Sequence, residues 1–240
     1  MPIGRHPTAN SWSRRSPLTE MTDSAHQEDG APSSAESAPP VGVGPHPLPW
    51  PTDDRFDPDL LREGDRRNVA DRYRYWRMTA IVADLDEHRF PYHVAIENLQ
   101  HDFNIGSIVR TANAFLAAEI HVVGRRRWNR RGAMVTDRYQ HIRHHESPAE
   151  LAEWAARAQI PIIGLDNVSG SVPLEGFVFP QECVLWFGQE GAGLSPEALA
   201  ACNDVVAIAS FGSTRSINVG AAAAIAMHSW VSQHAGDPPD

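Results

Sequence analysis

Lysine is absent: all 21 basic residues are arginines. The gap reads as base-composition bias rather than a functional device. It leaves every cationic contact to a planar, permanently charged guanidinium, which suits phosphate and stacked rings better than an ammonium does. Cysteine is scarce too. Cys183 and Cys202 form no metal-type spacing, and one pair is too few for a disulfide scaffold. No apolar run approaches the roughly 18 residues of a membrane-spanning helix, and the N-terminus lacks the apolar stretch of a signal peptide. A soluble, cytoplasmic protein without a membrane partner is expected. Net positive charge is missing as well: the formal charge is −9, which excludes a wholesale polybasic binder. What remains is a chain of 240 residues, 42% of them apolar. That suffices for one domain of roughly 150–200 residues with a tail.

Composition divides the chain. Residues 1–50 hold nine prolines and only five residues from Ile, Leu, Val and Phe. Such a segment buries too little apolar surface to offset its ordering entropy, so a disordered tail is expected, with a tethering arm as the alternative. In residues 51–90, Arg55, Arg62, Arg66, Arg67, Arg72, Arg74 and Arg77 interleave with Phe56, Tyr73, Tyr75 and Trp76. Five acids between Arg55 and Arg77 dilute that charge. A salt-bridged helical extension and an RNA-contacting one both fit. The main domain is expected over 91–233, and 234–240 as a flexible C-terminus.

After Pro91, short apolar runs alternate with helical segments. Strands are expected at 93–97, 119–124, 160–165, 184–187 and 205–209, from their continuous or nearly continuous apolar character. Helices are expected at 105–116 from three-and-four spacing, at 148–158 behind the cap Ser147-Pro148, after Ser195-Pro196, and at 218–231. This order predicts an α/β fold with a mostly parallel sheet and helices on both faces.

Three polar loops fall where a strand ends and a helix begins, the position at which open α/β sheets bind ligands. The first runs from Glu97 to Gly106 and is followed by Arg110. Asn104 there is either a helix cap or a partner of Arg110. The second is Gly188-Gln189-Glu190-Gly191-Ala192-Gly193. It lacks the Lys-Ser/Thr of a P-loop, its glycine order misses the dinucleotide fingerprint, and Glu190 would repel a pyrophosphate. The third is Phe211 to Gly220, in which Ser216 and Asn218 are either caps or cleft residues.

Together the loops resemble the three signature motifs of the SPOUT superfamily, in its SpoU/TrmH branch of S-adenosylmethionine-dependent RNA 2′-O-ribose methyltransferases. The matching segments are Asn104-Ile105-Gly106-Ser107-Ile108-Val109-Arg110-Thr111-Ala112, Phe187 to Leu194, and Ser216-Ile217-Asn218-Val219 with its alanine-rich helix. They occur in the family's order, and the likeness runs from about Val94 to Val231.

The resemblance implies a C-terminal deep trefoil knot, a rare exception to unknotted chains. It implies S-adenosyl-L-methionine as cofactor, with Gly188, Ile208 and Ile217 at its adenine and ribose. Asn104, Arg110, Glu190, Ser216 and Asn218 correspond to the family's catalytic pocket. Arg110 is expected to hydrogen-bond the ribose 2′-OH and a neighbouring phosphate, because a guanidinium is a poor base. Asn104 is expected to orient Arg110, and Glu190 and Asn218 to fix the pocket. Two other readings stay open: a base-methylating relative, and an RNA-binding protein that keeps the fold without turnover. The implied partners are tRNA or rRNA and a second copy of the chain in a homodimer.

Between Gly124 and His145 lie seven arginines and one acid, Asp137. Arg125, Arg126, Arg127, Arg130 and Arg131 are the candidate RNA contacts, with Trp128 and Tyr139 as candidate stacking faces. His141, His144 and His145 have no carboxylate or thiol at ligand spacing, so no metal is expected there. Partly protonated histidines beside phosphates fit better.

Overall fold

The computed structural model describes residues 42–98 and 104–236. In chain order its elements begin with α1 (Pro58–Glu63), α2 (Met78–Asp86), β1 (His93–Asn98), α3 (Ile105–Ala114), β2 (Ile120–Gly124) and β3 (Ile142–His145). They continue with α4 (Pro148–Ala158), β4 (Ile162–Leu165), β5 (Val172–Pro173), β6 (Val184–Phe187), α5 (Pro196–Ala201), β7 (Asp204–Ala207) and α6 (Val219–His234). The strands form one sheet in the order β3-β2-β1-β6-β4-β7-β5. Every pairing is parallel.

Burial on both faces explains the continuous apolar strands at the sheet centre. Val94 and Ile96 of β1 and Leu185 and Phe187 of β6 face one side, where they meet Ile108, Val109 and Ala112 of α3 and Ala223, Met227 and Trp230 of α6. Ala95, Val184 and Trp186 face the other, against Leu151 and Ala155 of α4 and Ala198 of α5. The helix starts follow local chemistry. Ser147 Oγ accepts from Glu150 N with Pro148 in the first turn, and Ser195 Oγ does the same for Ala198 N with Pro196.

Several boundaries differ from the sequence expectation for identifiable reasons. α3 stops at Ala114 because Leu116 turns to a positive φ of 53° and Ala117 N bonds back to Ala112 O. Gln159, at φ 62°, closes α4, and β4 begins only after Pro161. β3 and β5 went unread: β3 is Ile-Arg-His-His, which carries no apolar alternation, and β5 is two residues long.

Residues 42–90 are tied together by polar contacts more than by apolar area. Val43 and Asp65 exchange backbone hydrogen bonds at 2.9 Å. The fully buried Asp65 carboxylate accepts from Arg67 N, Nε and Nη2 and from Tyr75 N at 2.7–3.0 Å. A small cluster of Tyr73, Ile81 and Tyr139 joins this segment to the arginine-rich one. Arg89 reinforces the junction, donating to Tyr139 O at 2.8 Å and to Gln140 Oε1 at 3.0 Å. Of the tail expected over 1–50, residues 1–41 lie outside the described residues, as does the C-terminus beyond 236. By contrast, Val43 N and His46 N donate to Asp65 O and Leu61 O at 2.9 Å and so tie the start of 42–50 to the extension.

Candidate active site

The C-terminal ends of β4, β6 and β7 open into a cleft of about 640 Å³. Gly188, Glu190, Ile208, Ser216, Ile217 and Asn218, all anticipated from sequence, line it. Gly188 and Gly193 make its tight floor. Gln189 and Gly193 exchange backbone hydrogen bonds at 2.9 and 3.0 Å, closing a short loop over Gly188. A Cβ on Gly188 would lie 2.1 Å from the Gly193 carbonyl carbon. One on Gly193, whose φ is +71°, would lie 2.4 Å from the Asp166 carboxylate.

At the cleft rim three side chains from distant loops converge. Asn104 Nδ2 donates to Glu190 Oε2 at 2.5 Å. Asn218 Nδ2 reaches both Glu190 Oε1 at 3.1 Å and Asn104 Oδ1 at 3.0 Å. Asn218 is also a cap, its Oδ1 accepting from Gly220 N and Ala221 N. Asn218 thus caps α6 and lines the cleft beside Glu190 at once, without the Arg110 that the sequence reading placed with them. Asn104 precedes α3 without a side-chain cap bond; its amide crosses to Glu190 instead. The carboxylate thus fixes which way both amides point. Arg110 lies on the exposed side of α3, in its second turn, and makes no hydrogen bond with Asn104 among the described residues. Residues 99–103 of the first loop lie outside the described residues.

Two cleft residues escaped the sequence reading. Asp166 follows β4 directly and accepts from Leu194 N at 2.8 Å and Asn167 N at 2.7 Å. Its position at a strand end was the signal that could have found it. Gln189 lies inside the second motif, and its Oε1 is buried without a hydrogen-bond partner. Such an orphan acceptor in a cleft wall fits a ligand donor.

The arginine segment lies beside this rim. Asn98, at the end of β1, donates to Arg125 O and Arg127 O, holding the backbone so that Arg125, Arg126 and Arg127 are exposed. Arg130 and Arg131 are exposed too, and Arg130 lies 5.6 Å over the Trp128 ring. The segment docks on α3 through a glycine pair: a Cβ on Gly106 would lie 2.7 Å from Ala133 N and 2.8 Å from Gly132 Cα.

Two expectations here are corrected. Tyr139 is buried between Tyr73 and Ile81, so it offers no face to a base. His145 is buried against His121, and burial pushes its imidazole pKa down, so it is a neutral interior group rather than a phosphate neighbour. His141 instead contacts Asp86 at 2.9 Å, and His144 bonds Gly124 O at 2.7 Å.

A parallel α/β sheet with a ligand cleft at its strand ends narrows the class, and comparison with known proteins supplies the family. The chain belongs to the SpoU rRNA Methylase family, whose model matches residues 91–228. An uncharacterized tRNA/rRNA methyltransferase of Mycobacterium avium (strain 104) is 31% identical over 141 residues, covering 56% of this chain and 45% of that protein. A tRNA (guanosine(18)-2′-O)-methyltransferase of Escherichia coli (strain K12) is 23% identical over 138 residues, covering 56% and 60%. The SpoU methyltransferase AviRb of Streptomyces viridochromogenes, solved in complex with the cofactor AdoMet, is 28% identical. It superposes with a TM-score of 0.54 over 62% of this chain and 60% of that one. The chain thus spans about half the length of the first curated relative it matches. Among the described residues no helix is long and apolar enough to cross a membrane.

Proposed function

We propose that this protein is an RNA methyltransferase that uses S-adenosylmethionine and modifies a ribose 2′-OH of tRNA or rRNA. The observation that carries the reading is the hydrogen-bonded set Asn104, Glu190 and Asn218 at the rim of a cleft walled by Gly188, Ile208 and Ile217. The cofactor fits the residues present. Apolar Leu165, Val206, Ile208 and Ile217 suit an adenine, and the unpartnered Gln189 Oε1 suits an amine or hydroxyl donor. The AdoMet bound to AviRb supports the assignment. When bound, S-adenosylmethionine supplies a methyl group already activated on a sulfonium.

The chain's own task is therefore to position one hydroxyl and let it lose its proton. Glu190 holds two amides rigid, so Asn104 and Asn218 present a fixed edge to the ribose. Arg110 reaches over from α3 and donates to the 2′-oxygen and an adjacent phosphate oxygen, and that phosphate takes the proton. The exposed guanidiniums of Arg125, Arg126, Arg127, Arg130 and Arg131 hold the RNA backbone. The reading includes a trefoil knot, which the resemblance of the three motifs implies. It also includes a homodimer, supported by the exposed apolar side chains of Phe211 and Ile225 and testable by light scattering.

The deciding experiment is methyl transfer from labelled S-adenosylmethionine to separated tRNA and rRNA from a strain lacking the gene. Label in an alkali-stable dinucleotide is expected from one of the two fractions. Label confined to alkali-released mononucleotides would mean base methylation, and absence of both transfer and cofactor binding would overturn the enzyme. Arg110→Lys should lose at least about 100-fold in turnover, since it removes a planar two-point donor. Near-normal turnover would refute that role.

A further inference from the structure

Away from the cleft, on the α4 face of the sheet, three histidines from adjacent strands line up edge to edge. His93 Nδ1 lies 3.1 Å from His121 Nε2, and His121 Nδ1 lies 2.9 Å from His145 Nε2. Glu119 brings Oε2 to 3.8 Å from His121 Nε2. Among the described residues, His93, Glu119 and His121 are a set whose ligand atoms all lie within 4.8 Å of one another. We propose that these three residues form a binding site for a divalent transition-metal ion of the zinc class.

The distances fit. Zn–N bonds of about 2.0–2.1 Å in a tetrahedron put ligand atoms about 3.3–3.4 Å apart. The two imidazole nitrogens are within 0.3 Å of that separation, and the carboxylate oxygen, 3.8 Å from His121 Nε2, must close in on the ion by turning its side chain. Two imidazoles and one carboxylate are the donor set that zinc takes while keeping an open position for water.

The surroundings supply the outer contacts that a metal ligand needs. With its proton on Nδ1, His121 donates to His145 Nε2 at 2.9 Å and turns the lone pair of its own Nε2 towards the ion. His145 then carries its proton on Nδ1, a buried atom without a hydrogen-bond partner that lies 3.9 Å from Glu150 Oε1. Glu119 Oε1 accepts from Arg143 Nε at 3.0 Å, leaving Oε2 for the ion. On binding, the proton that His93 Nδ1 shares with His121 moves to His93 Nε2, so no net charge is displaced. Trp154 roofs the site, its ring centroid 4.3 Å from that of His121 and 5.0 Å from that of His93. Glu119 is partly exposed and gives the ion a way in.

The test uses the full chain, stripped with a chelator and dialysed against Zn²⁺, with Mg²⁺ as the control and Co²⁺ as the spectroscopic probe. One Zn²⁺ per chain at this site, no Mg²⁺, and a tetrahedral Co²⁺ absorption band are expected. His93→Gln and Glu119→Gln, both at partly exposed positions, should weaken Zn²⁺ binding at least tenfold and abolish the Co²⁺ band. His141→Ala, an exposed histidine outside the set, should leave both unchanged. Circular dichroism confirms that each variant is folded, which matters because His93 and Glu119 both flank the fully buried His121. The proposal is overturned if the native chain takes up no more Zn²⁺ than Mg²⁺, or if both variants bind as the native chain does.

Discussion

Two arginine-rich stretches, 55–77 and 125–131, look alike in composition and do opposite things. In the first, acids lie two or three residues from the arginines, and the structure pairs them: Arg55 with Asp53, Arg62 with Asp59, Arg67 with Asp65 and Arg74 with Asp71. In the second, Arg130 reaches Asp137 at 3.4 Å, while Arg125, Arg126, Arg127 and Arg131 have no ion pair among the described residues. Local acid spacing thus separates guanidiniums that organise a fold from those left exposed and largely unpaired, which the proposed function assigns to RNA phosphates. Of the two sequence-level readings of the 51–90 extension, these pairs favour the salt-bridged one.

The comparison can be broken most forcefully at Asp65. Asp65→Ala should cost about 3–5 kcal/mol, because it leaves Arg67 half-buried and two backbone N–H groups without their acceptor. Hydrogen exchange over residues 43–77 would read it, and methyl transfer should change far less. The same carboxylate has a pH signature. Burial pushes its pKa up, but the Arg67 guanidinium and the N–H groups of Arg67 and Tyr75 outweigh that and hold it down to about 2. Its folded pKa is lower than its unfolded one, so the stabilisation is complete above about pH 4 and is lost as pH falls towards 2. Protection of 43–77 should decline through that window and be insensitive to it in the Asp65→Ala chain.

The second stretch predicts the reverse pattern. Replacing Arg125, Arg126 and Arg127 together by Ala should weaken RNA binding about 100-fold at low salt and lower the salt slope by roughly 2. The melting temperature should not move. A destabilised triple variant with normal RNA affinity would erase the distinction between the stretches.

A smaller effect sharpens how the second arginine stretch is held. Gly106→Ala drives a methyl group into Ala133 N and Gly132 Cα, a close backbone contact that should cost about 1–3 kcal/mol. Because that contact docks the arginine segment on α3, RNA affinity should fall about tenfold while S-adenosylmethionine affinity holds. Loss of both affinities together would place Gly106 in the cleft rather than at the dock.

The element order and the cleft were legible because their signals are local. Apolar runs mark β1, β4 and β6, and the second and third loop motifs deliver Gly188, Glu190, Ser216 and Asn218 to one cleft. What escaped depends on lateral register. His93, His121 and His145 lie 24 to 28 residues apart and meet only because β1, β2 and β3 are parallel neighbours. Tyr139 reads as a stacking face until the extension covers it. Asn104 has no local sign that its partner is Glu190, 86 residues away, rather than Arg110.

The smallest expected effect probes the same acid-spacing rule at its weak end. Arg62 contacts Asp59 and Glu63 on α1, but its side chain is 56% exposed and that of Asp59 75%. In water-rich surroundings the Coulomb gain is small and is offset by the entropy of holding two long side chains in one geometry. Arg62→Ala should therefore leave the denaturation midpoint essentially unmoved, in contrast to the large loss for Asp65→Ala, although both remove an arginine–aspartate contact in the same short segment. The difference is burial: the Asp65 side chain is wholly enclosed, so its charge has no water to fall back on. If denaturant titration showed Arg62→Ala to be as costly as Asp65→Ala, the segment would be held by its summed charge pattern. Burial of one carboxylate would then no longer explain it.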